Sequence, residues 1–196
     1  MLPKFPKKIA YQTTDLPTIL TQYQQGVRDF AWLDLEEADF TQLNLPEIQF
    51  FRSNLVYSNF SHSNLSCANF HQTNLEKTNF WRANLSQANL TKAQLNQSLM
   101  IRANLLAANL EKAVLDRSDL RLAKLNYANL SKASLVGAKL CYADLTGADL
   151  THANLSRADL TGAIVEGAIF NSTILQEAIL ARVDLKQAIF SSNITN

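Results

Sequence analysis

Residues 143–162 read ADLTGADLTHANLSRADLTG, four five-residue units in which leucine is always the third member. The same spacing extends in both directions without a gap, because every fifth residue from Phe30 to Phe190 is apolar. These 33 positions, here called central residues, hold 23 Leu, eight Phe, Met100 and Val165. A pattern this regular decides the fold before any single residue is considered.

A period of five fits neither a helix nor a continuous strand. On an α-helix, each step would turn the next central residue by about 140° and smear the apolar residues around the helix. On a strand, an odd step would send successive central residues to opposite faces. A short extended segment followed by a turn does fit, and its repetition predicts a solenoid whose central residues all face the axis.

The two residues that precede each central residue support this interpretation. Two positions before, 28 of 33 residues are Ala, Ser or Thr, which fit beside a large residue inside a narrow tube. One position before, 21 of 33 are Asn or Asp. We expect these polar side chains to face outward and to stack coil over coil, as in the series Asn44, Asn64, Asn84 and Asn104.

Glycine and proline positions predict the turn. All four glycines of the repeats, at 137, 147, 162 and 167, lie two positions after a central residue, and Pro46 lies one position after. A type II turn favours proline at its second residue and glycine at its third. Earlier units carry residues such as Arg52 and Gln72 in the glycine position. Because positive φ is unfavourable for these residues, we expect type I or irregular turns in the N-terminal half.

Units such as Ala143-Asp144-Leu145-Thr146-Gly147 resemble the A-(D/N)-L-x-x unit of the pentapeptide repeat family. The resemblance covers residues 28–190. It implies an all-β protein, a right-handed quadrilateral β-helix with 20 residues per coil and about eight coils. Folding the sequence at this period places phenylalanine ladders on two opposite faces of the N-terminal half.

The rest of the chain divides around these repeats. We expect residues 1–13 to be irregular, residues 14–26 to form a short capping α-helix, residues 27–190 to form the β-helix and residues 191–196 to be a tail. The helix is predicted from Leu16, Ile19, Leu20 and Tyr23, which follow helical spacing. Thr14 or Asp15 is the expected N-cap, and Gly26 the expected stop.

Catalytic and metal chemistry is not indicated by the sequence. The three histidines, His62, His71 and His152, fall on different coils, whereas a metal site needs several converging ligands. Cys67 and Cys141 lie nearly four coils apart, too far for a disulfide, and two unpaired thiols suit a reducing compartment. No apolar run is long enough for a membrane span or a secretion signal. We therefore expect a cytoplasmic protein with no enzymatic activity, no cofactor, no metal and no membrane contact.

Two sets of outward apolar residues interrupt the polar surface. The first is a candidate partner patch formed by Trp81, Arg82, Leu99, Ile101, Arg102 and Leu122. The second is a ring formed by Ile164, Ile169, Ile174, Ile179 and Ile189, a candidate for C-terminal homodimerisation. Scattered surface apolar residues, which are normal, are the alternative for the patch. For the ring, the alternative is that end coils simply tolerate β-branched residues and stay monomeric. A stack of Lys92, Lys112 and Lys132 is interpreted as a solvated face.

The sequence therefore favours a rigid scaffold that binds another, unidentified protein and acts as a regulator. The resemblance offers an alternative, since some members of the family mimic duplex DNA and modulate type II topoisomerases. Such mimicry needs a strongly acidic surface, and the repeats have a net charge near −1. The same small charge argues against nucleic-acid binding. The family is abundant in cyanobacteria, where regulatory roles through protein contacts are known.

Overall fold

The computed structural model describes residues 12–190, and these wind as a parallel β-helix. Outward residues form parallel bridges with the residue 20 positions later, from Asp29 with Gln49 to Ile169 with Ile189. Each coil therefore contains four five-residue units. The predicted tail at 191–196, and residues 1–11 of the predicted irregular segment, lie outside the described residues.

Backbone hydrogen bonds join successive coils at every unit. The N–H of Leu85 donates to the carbonyl of Asn104 at 2.7 Å, and the N–H of Gln87 donates to the carbonyl of Leu106 at 2.8 Å. In the other direction, the N–H of Asn84 donates to the carbonyl of Ser63 at 2.9 Å. A turn interrupts this pairing at each corner, so most of the ladder consists of isolated bridges.

The core is a single column of central residues and small inward residues. Every central residue from Phe30 to Phe170 is buried, which contributes about 1.5–3 kcal/mol for each large side chain. The predicted phenylalanine ladders are present: the ring of Phe60 stacks on Phe40 at 4.4 Å and on Phe80 at 5.3 Å. Rings of the opposite ladder reach across the core, where Phe50 meets Phe60 edge-on at 6.2 Å.

The turns differ from the sequence-based expectation. The third turn residue has a φ between 53° and 67° in every unit from Trp32 to Arg182, and 27 of these residues are not glycine. The prediction of type I or irregular turns in the N-terminal half is therefore wrong. The N–H of this residue, as in Gln87, must point along the axis to reach the next coil. Where a next coil is present, bonding between coils thus outweighs a backbone cost of about 1–2 kcal/mol.

The N-terminal elements pack on the first coil. Helix α1 (Leu16–Gln24) begins after Asp15, whose Oδ1 accepts the N–H of Thr18 at 2.9 Å. Ile19 on this helix is fully buried in the core. The hydroxyl of Tyr23 donates to the carbonyl of Pro46 at 2.7 Å. These contacts fix the helix against the start of the β-helix.

A short strand precedes this helix. Strand β1 (Gln12–Thr13) pairs in parallel with strand β2 (Leu33–Asp34). The prediction that residues 1–13 are irregular is therefore wrong at its last two residues. Among the described residues, no coil precedes β2, so its free edge pairs with β1, as unpaired strand edges readily do with another segment of chain.

The C-terminal end departs from the repeat in one unit. A 3₁₀-helix at Leu185–Gln187 replaces the expected turn, and Asp184 caps it by accepting the N–H of Lys186 at 3.1 Å. The prediction of an uninterrupted β-helix to residue 190 is wrong at this unit. The cap is the one that ordinary turns of the repeat use, and no described coil follows this unit. The exposed fraction of Phe190 is 46%.

The outward Asn and Asp residues have a clear structural role. The side-chain oxygen usually accepts the N–H two residues later, as Asn79 does from Trp81 at 3.0 Å. Their amides also link successive coils, since Asn84 donates to Asn64 at 2.9 Å and Asn64 donates to Asn44 at 2.7 Å. The predicted asparagine stacks are therefore hydrogen-bonded ladders.

Candidate functional site

Trp81 lies at a corner of the β-helix, in the second turn position of its unit. The ring of His62 meets it edge-on, with 4.6 Å between ring centroids. The guanidinium carbon of Arg82 lies 5.0 Å from the indole centroid. The tryptophan is nevertheless 41% exposed. Two neighbours thus hold the ring in place while leaving apolar area open to a partner.

Leu99 occupies an outward position that an asparagine, Asn79, fills one coil earlier. Asn79 caps the N–H of Trp81, but a leucine has no oxygen with which to cap the N–H of Ile101. That N–H has no protein acceptor among residues 12–190. The missing bond is worth about 0.5–1.5 kcal/mol. Because Leu99 is 45% exposed, burial of its side chain offsets little of the stability lost with this hydrogen bond.

A shallow depression continues the apolar surface along the same corner. It is lined by Ile101, Arg121, Leu122, Cys141 and Tyr142. Ile101 and Leu122 belong to the predicted patch, and Tyr142 adds an exposed aromatic ring. The corner therefore offers a concave apolar strip with a cation at its edge.

The cation at this edge is held in a fixed position. Arg121 donates from Nε to Oδ1 of Asp119 at 2.8 Å and from Nη2 to Oδ2 at 2.7 Å. These hydrogen bonds and the carboxylate charge raise the pKa of Arg121. Arg82 and Arg102, by contrast, have no carboxylate within 4.0 Å in the described part of the chain. Their charges remain available to a partner.

The structure brings all residues of the predicted patch to one corner on successive coils. We call them the Trp81 surface: Trp81, Arg82, Leu99, Ile101, Arg102 and Leu122. Sequence reasoning missed Arg121, Cys141 and Tyr142. Each of these lies two or three coils after Trp81 or Arg82 in the same 20-residue column, so following those columns would have found them.

The isoleucine ring lies near the other end of the described chain. Ile164, Ile169, Ile174 and Ile179 occupy the outward positions of four successive units, and Ile189 lies beneath Ile169. All except Ile169 are half-exposed. Their side chains project from four sides of the rod, so no single flat surface covers the whole ring.

A third cluster combines aromatic and cationic side chains on another corner. The ring of His71 stacks on Phe51 at 5.5 Å, and the guanidinium of Arg52 lies 4.9 Å from the Phe51 centroid. Partial burial, followed by the charges of Lys92 and Arg52, lowers the pKa of His71. Further along this corner, Lys112 pairs with Glu111 at 2.9 Å.

Clusters that could hold a metal and helices that could cross a membrane are both absent from residues 12–190. No group of three or more His, Cys, Asp or Glu side chains there is arranged to hold a metal ion. No helix in that range has the length and apolar character needed to cross a bilayer. Cys67 and Cys141 are both unpaired thiols. Many aspartates accept hydrogen bonds within the turns. Asp159, for example, accepts hydrogen bonds from the hydroxyl and the N–H of Thr161.

Coil pairing and turns together define a β-helical solenoid built from five-residue units. The family model described as "Pentapeptide repeats" matches in eight copies, in overlapping segments between residues 34 and 191. The chain belongs to the pentapeptide repeat family, whose members fold as right-handed β-helices. No curated protein matches the chain.

Several solved structures are similar to this chain. HetL from the cyanobacterium Nostoc sp. strain PCC 7120, described as involved in heterocyst differentiation regulation, is 31% identical with a TM-score of 0.25. That match covers 91% of this chain and 98% of HetL. Rfr23 from the cyanobacterium Cyanothece 51142 is 23% identical over 89% of this chain and 99% of its own, with a TM-score of 0.38. QnrB1, described as a plasmid-mediated fluoroquinolone resistance protein, is 18% identical over 85% of this chain and 89% of its own, with a TM-score of 0.45.

Proposed function

We propose that this chain is a non-enzymatic scaffold that binds another protein through the Trp81 surface. The rod has about eight coils, about 40 Å in length at strand spacing, and α1 caps its first coil. We place its action in the cytoplasm, where the two thiols stay reduced. A partner bound there would be held on a rigid support, which suits a regulatory protein.

The observation that carries this proposal is Leu99. The repeat offers a stabilising asparagine at that position, and the chain instead carries an exposed leucine beside an uncapped N–H. Proteins commonly retain locally unfavourable residues where function requires them. Leu99 lies on the same corner as an exposed tryptophan and two arginines that have no carboxylate partner among residues 12–190. Tryptophan and arginine are the residue types that dominate binding energy at protein interfaces.

Pull-downs from the native cytosol test this proposal. Trp81→Ala/Ile101→Asp removes the aromatic anchor and places a charge in the depression, so captured partners should be lost. Tyr127→Ala is the matched control, because Tyr127 is 66% exposed but lies on another corner. Identical capture by wild type and the double variant would remove the Trp81 surface from the account.

We also propose that the isoleucine ring contributes to self-association with a second copy. At that end the partly exposed central residues Leu175 and Leu180 add to the apolar area of the ring. An end-on contact would bury these central residues, with the isoleucines at its rim. Light scattering at high concentration should give a dimer mass that Ile179→Asp reduces. A strictly monomeric wild type would exclude the contact.

A further inference from the structure

Charge is unevenly distributed along the rod, although the repeats are nearly neutral in total. Residues 27–47 carry one Arg against six Asp or Glu, a net charge of −5. Residues 76–140 carry ten Lys or Arg against four Asp or Glu, a net charge of +6. Residues 141–190 carry three against six, a net charge of −3. The rod therefore has a basic belt, residues 76–140, between two acidic ends.

Ion pairs neutralise only part of this belt. Salt bridges hold Lys77, Lys112 and Arg121. The remaining cations have no carboxylate within 4.0 Å among residues 12–190: Arg82, Lys92, Arg102, Arg117, Lys124, Lys132 and Lys139. The fourth acidic residue, Asp116, instead accepts the N–H of Val136 at 3.1 Å. The excess positive charge is thus exposed to solvent and to partners.

The Trp81 surface lies inside this belt. Arg82 and Arg102 are members of the surface, and Lys139 lies two coils after Leu99 in the same column of outward positions. An apolar centre with charged groups at its edge is the usual anatomy of a protein interface. The edge here is cationic, so a complementary partner is anionic.

We propose that the partner of the Trp81 surface presents an acidic segment with at least one large apolar side chain. This inference rests on the proposed function and specifies its partner. The apolar side chain fits the depression between Ile101 and Leu122. The acidic side chains pair with Arg82 and Arg102, and the acidic ends of the rod repel them elsewhere. Complementary charge of this kind mainly sets the rate of encounter and the register of docking.

A protein segment fits these observations better than a nucleic acid. The unpaired cations are divided among several corners, with Lys92 and Lys132 on the corner diagonally opposite Arg82 and Arg102. They form no continuous track for a phosphate backbone, which nucleic-acid binders usually provide.

Selection of short random peptides displayed on phage tests the partner chemistry directly. Against wild type, enriched peptides should combine several Asp or Glu with a large apolar residue. The test variant is Arg82→Glu/Arg102→Glu, and the matched control is Lys92→Glu/Lys132→Glu, which changes the net charge by the same amount on the opposite corner. The test variant should weaken binding of an enriched peptide about tenfold or more, and the control by less than about threefold.

The other outcomes of the peptide selection each overturn the acidic partner alone or both proposals. Enriched peptides without acidic residues that still depend on Trp81 would overturn the acidic partner but leave the proposed function intact. Equal weakening by the two charge variants would also overturn it, because the attraction would not be local. A failure to enrich any peptide, or peptides indifferent to Trp81→Ala/Ile101→Asp, would contradict both proposals. Tighter binding of single-stranded oligothymidylate, or salt-sensitive self-association through residues 27–47, would assign the belt to a different partner.

Discussion

Alanine substitutions at Gly147 and Gly137 separate two costs of a side chain in these turns. One is the cost of the left-handed backbone, and the other is the cost of a clash with the preceding coil. Gly147 has a φ of 65°, and a Cβ there would lie 2.6 Å from Cδ1 of Tyr127 on the preceding coil. Gly137 has a nearly identical φ of 66°, but its added Cβ would meet only Cγ of Arg117, at an ordinary 3.7 Å. Gly137→Ala therefore isolates the backbone cost, whereas Gly147→Ala adds displacement of the tyrosine ring.

The expected magnitudes follow from this geometry. A left-handed alanine costs about 1–2 kcal/mol, and a stiffer unfolded chain returns about 0.4–1 kcal/mol, so Gly137→Ala should lose about 1 kcal/mol. Gly147→Ala should lose about 2 kcal/mol, because contacting residues typically couple by 0.5–3 kcal/mol. In a Tyr127→Ala background, the cost of Gly147→Ala should fall to that of Gly137→Ala, about 1 kcal/mol.

Equilibrium unfolding in denaturant measures these differences if all variants keep the same slope of unfolding free energy against denaturant. Tyr127→Ala completes the double-mutant cycle and supplies its own baseline. A neutral Gly137→Ala would refute the argument that left-handed turns strain ordinary residues. An unchanged cost of Gly147→Ala without the tyrosine would refute the packing argument.

Three further predictions concern the core and one corner of the rod. Ser98→Ala should stabilise the fold by about 1 kcal/mol in denaturant unfolding, because the buried Ser98 hydroxyl has no hydrogen-bond partner within the described chain. Phe60→Ala should cost about 3–5 kcal/mol by the same measurement, since it empties the centre of the aromatic stack, and Phe60→Leu should cost clearly less. The lowered pKa of His71 favours its neutral form in the folded state, so stability present above about pH 6.5 should be lost as pH falls through the lowered pKa. Unfolding curves at about pH 7 and about pH 5 should show a smaller loss for His71→Gln than for wild type.

The period of five predicted the core correctly because each unit meets nearly the same surroundings. A central leucine such as Leu85 contacts equivalent residues one coil above and one coil below, so a local pattern determines a global structure. The turns were mispredicted for the opposite reason. Their expected type was judged from the local preference of residues such as Arg52, whereas hydrogen bonds to the next coil determine their φ.

Other differences between the sequence-based predictions and the structure also arise from features that a single five-residue unit does not contain. Strand β1 pairs Gln12 with Leu33, a separation of 21 residues that the repeat does not contain. Leu99 could be singled out because it replaces the Asn or Asp of the repeat, whereas the other five residues of the Trp81 surface occupy variable positions and were chosen as outward apolar or cationic side chains. Arg121 and Tyr142 were missed because they were not compared with residues 20 positions earlier. The basic belt was missed because total charge conceals charges of opposite sign in different coils.

Leu99→Asn gives the most direct test of the claim that the Trp81 surface is retained for binding. The new amide should cap the N–H of Ile101 and extend the ladder from Asn79, which raises the free energy of unfolding by about 0.5–1.5 kcal/mol. The same variant should lose the partners captured from the native cytosol. Val114→Asn, an equivalent change on another face, should also stabilise but keep those partners. A destabilised Leu99→Asn protein, or a stabilised one with unchanged capture, would contradict the account.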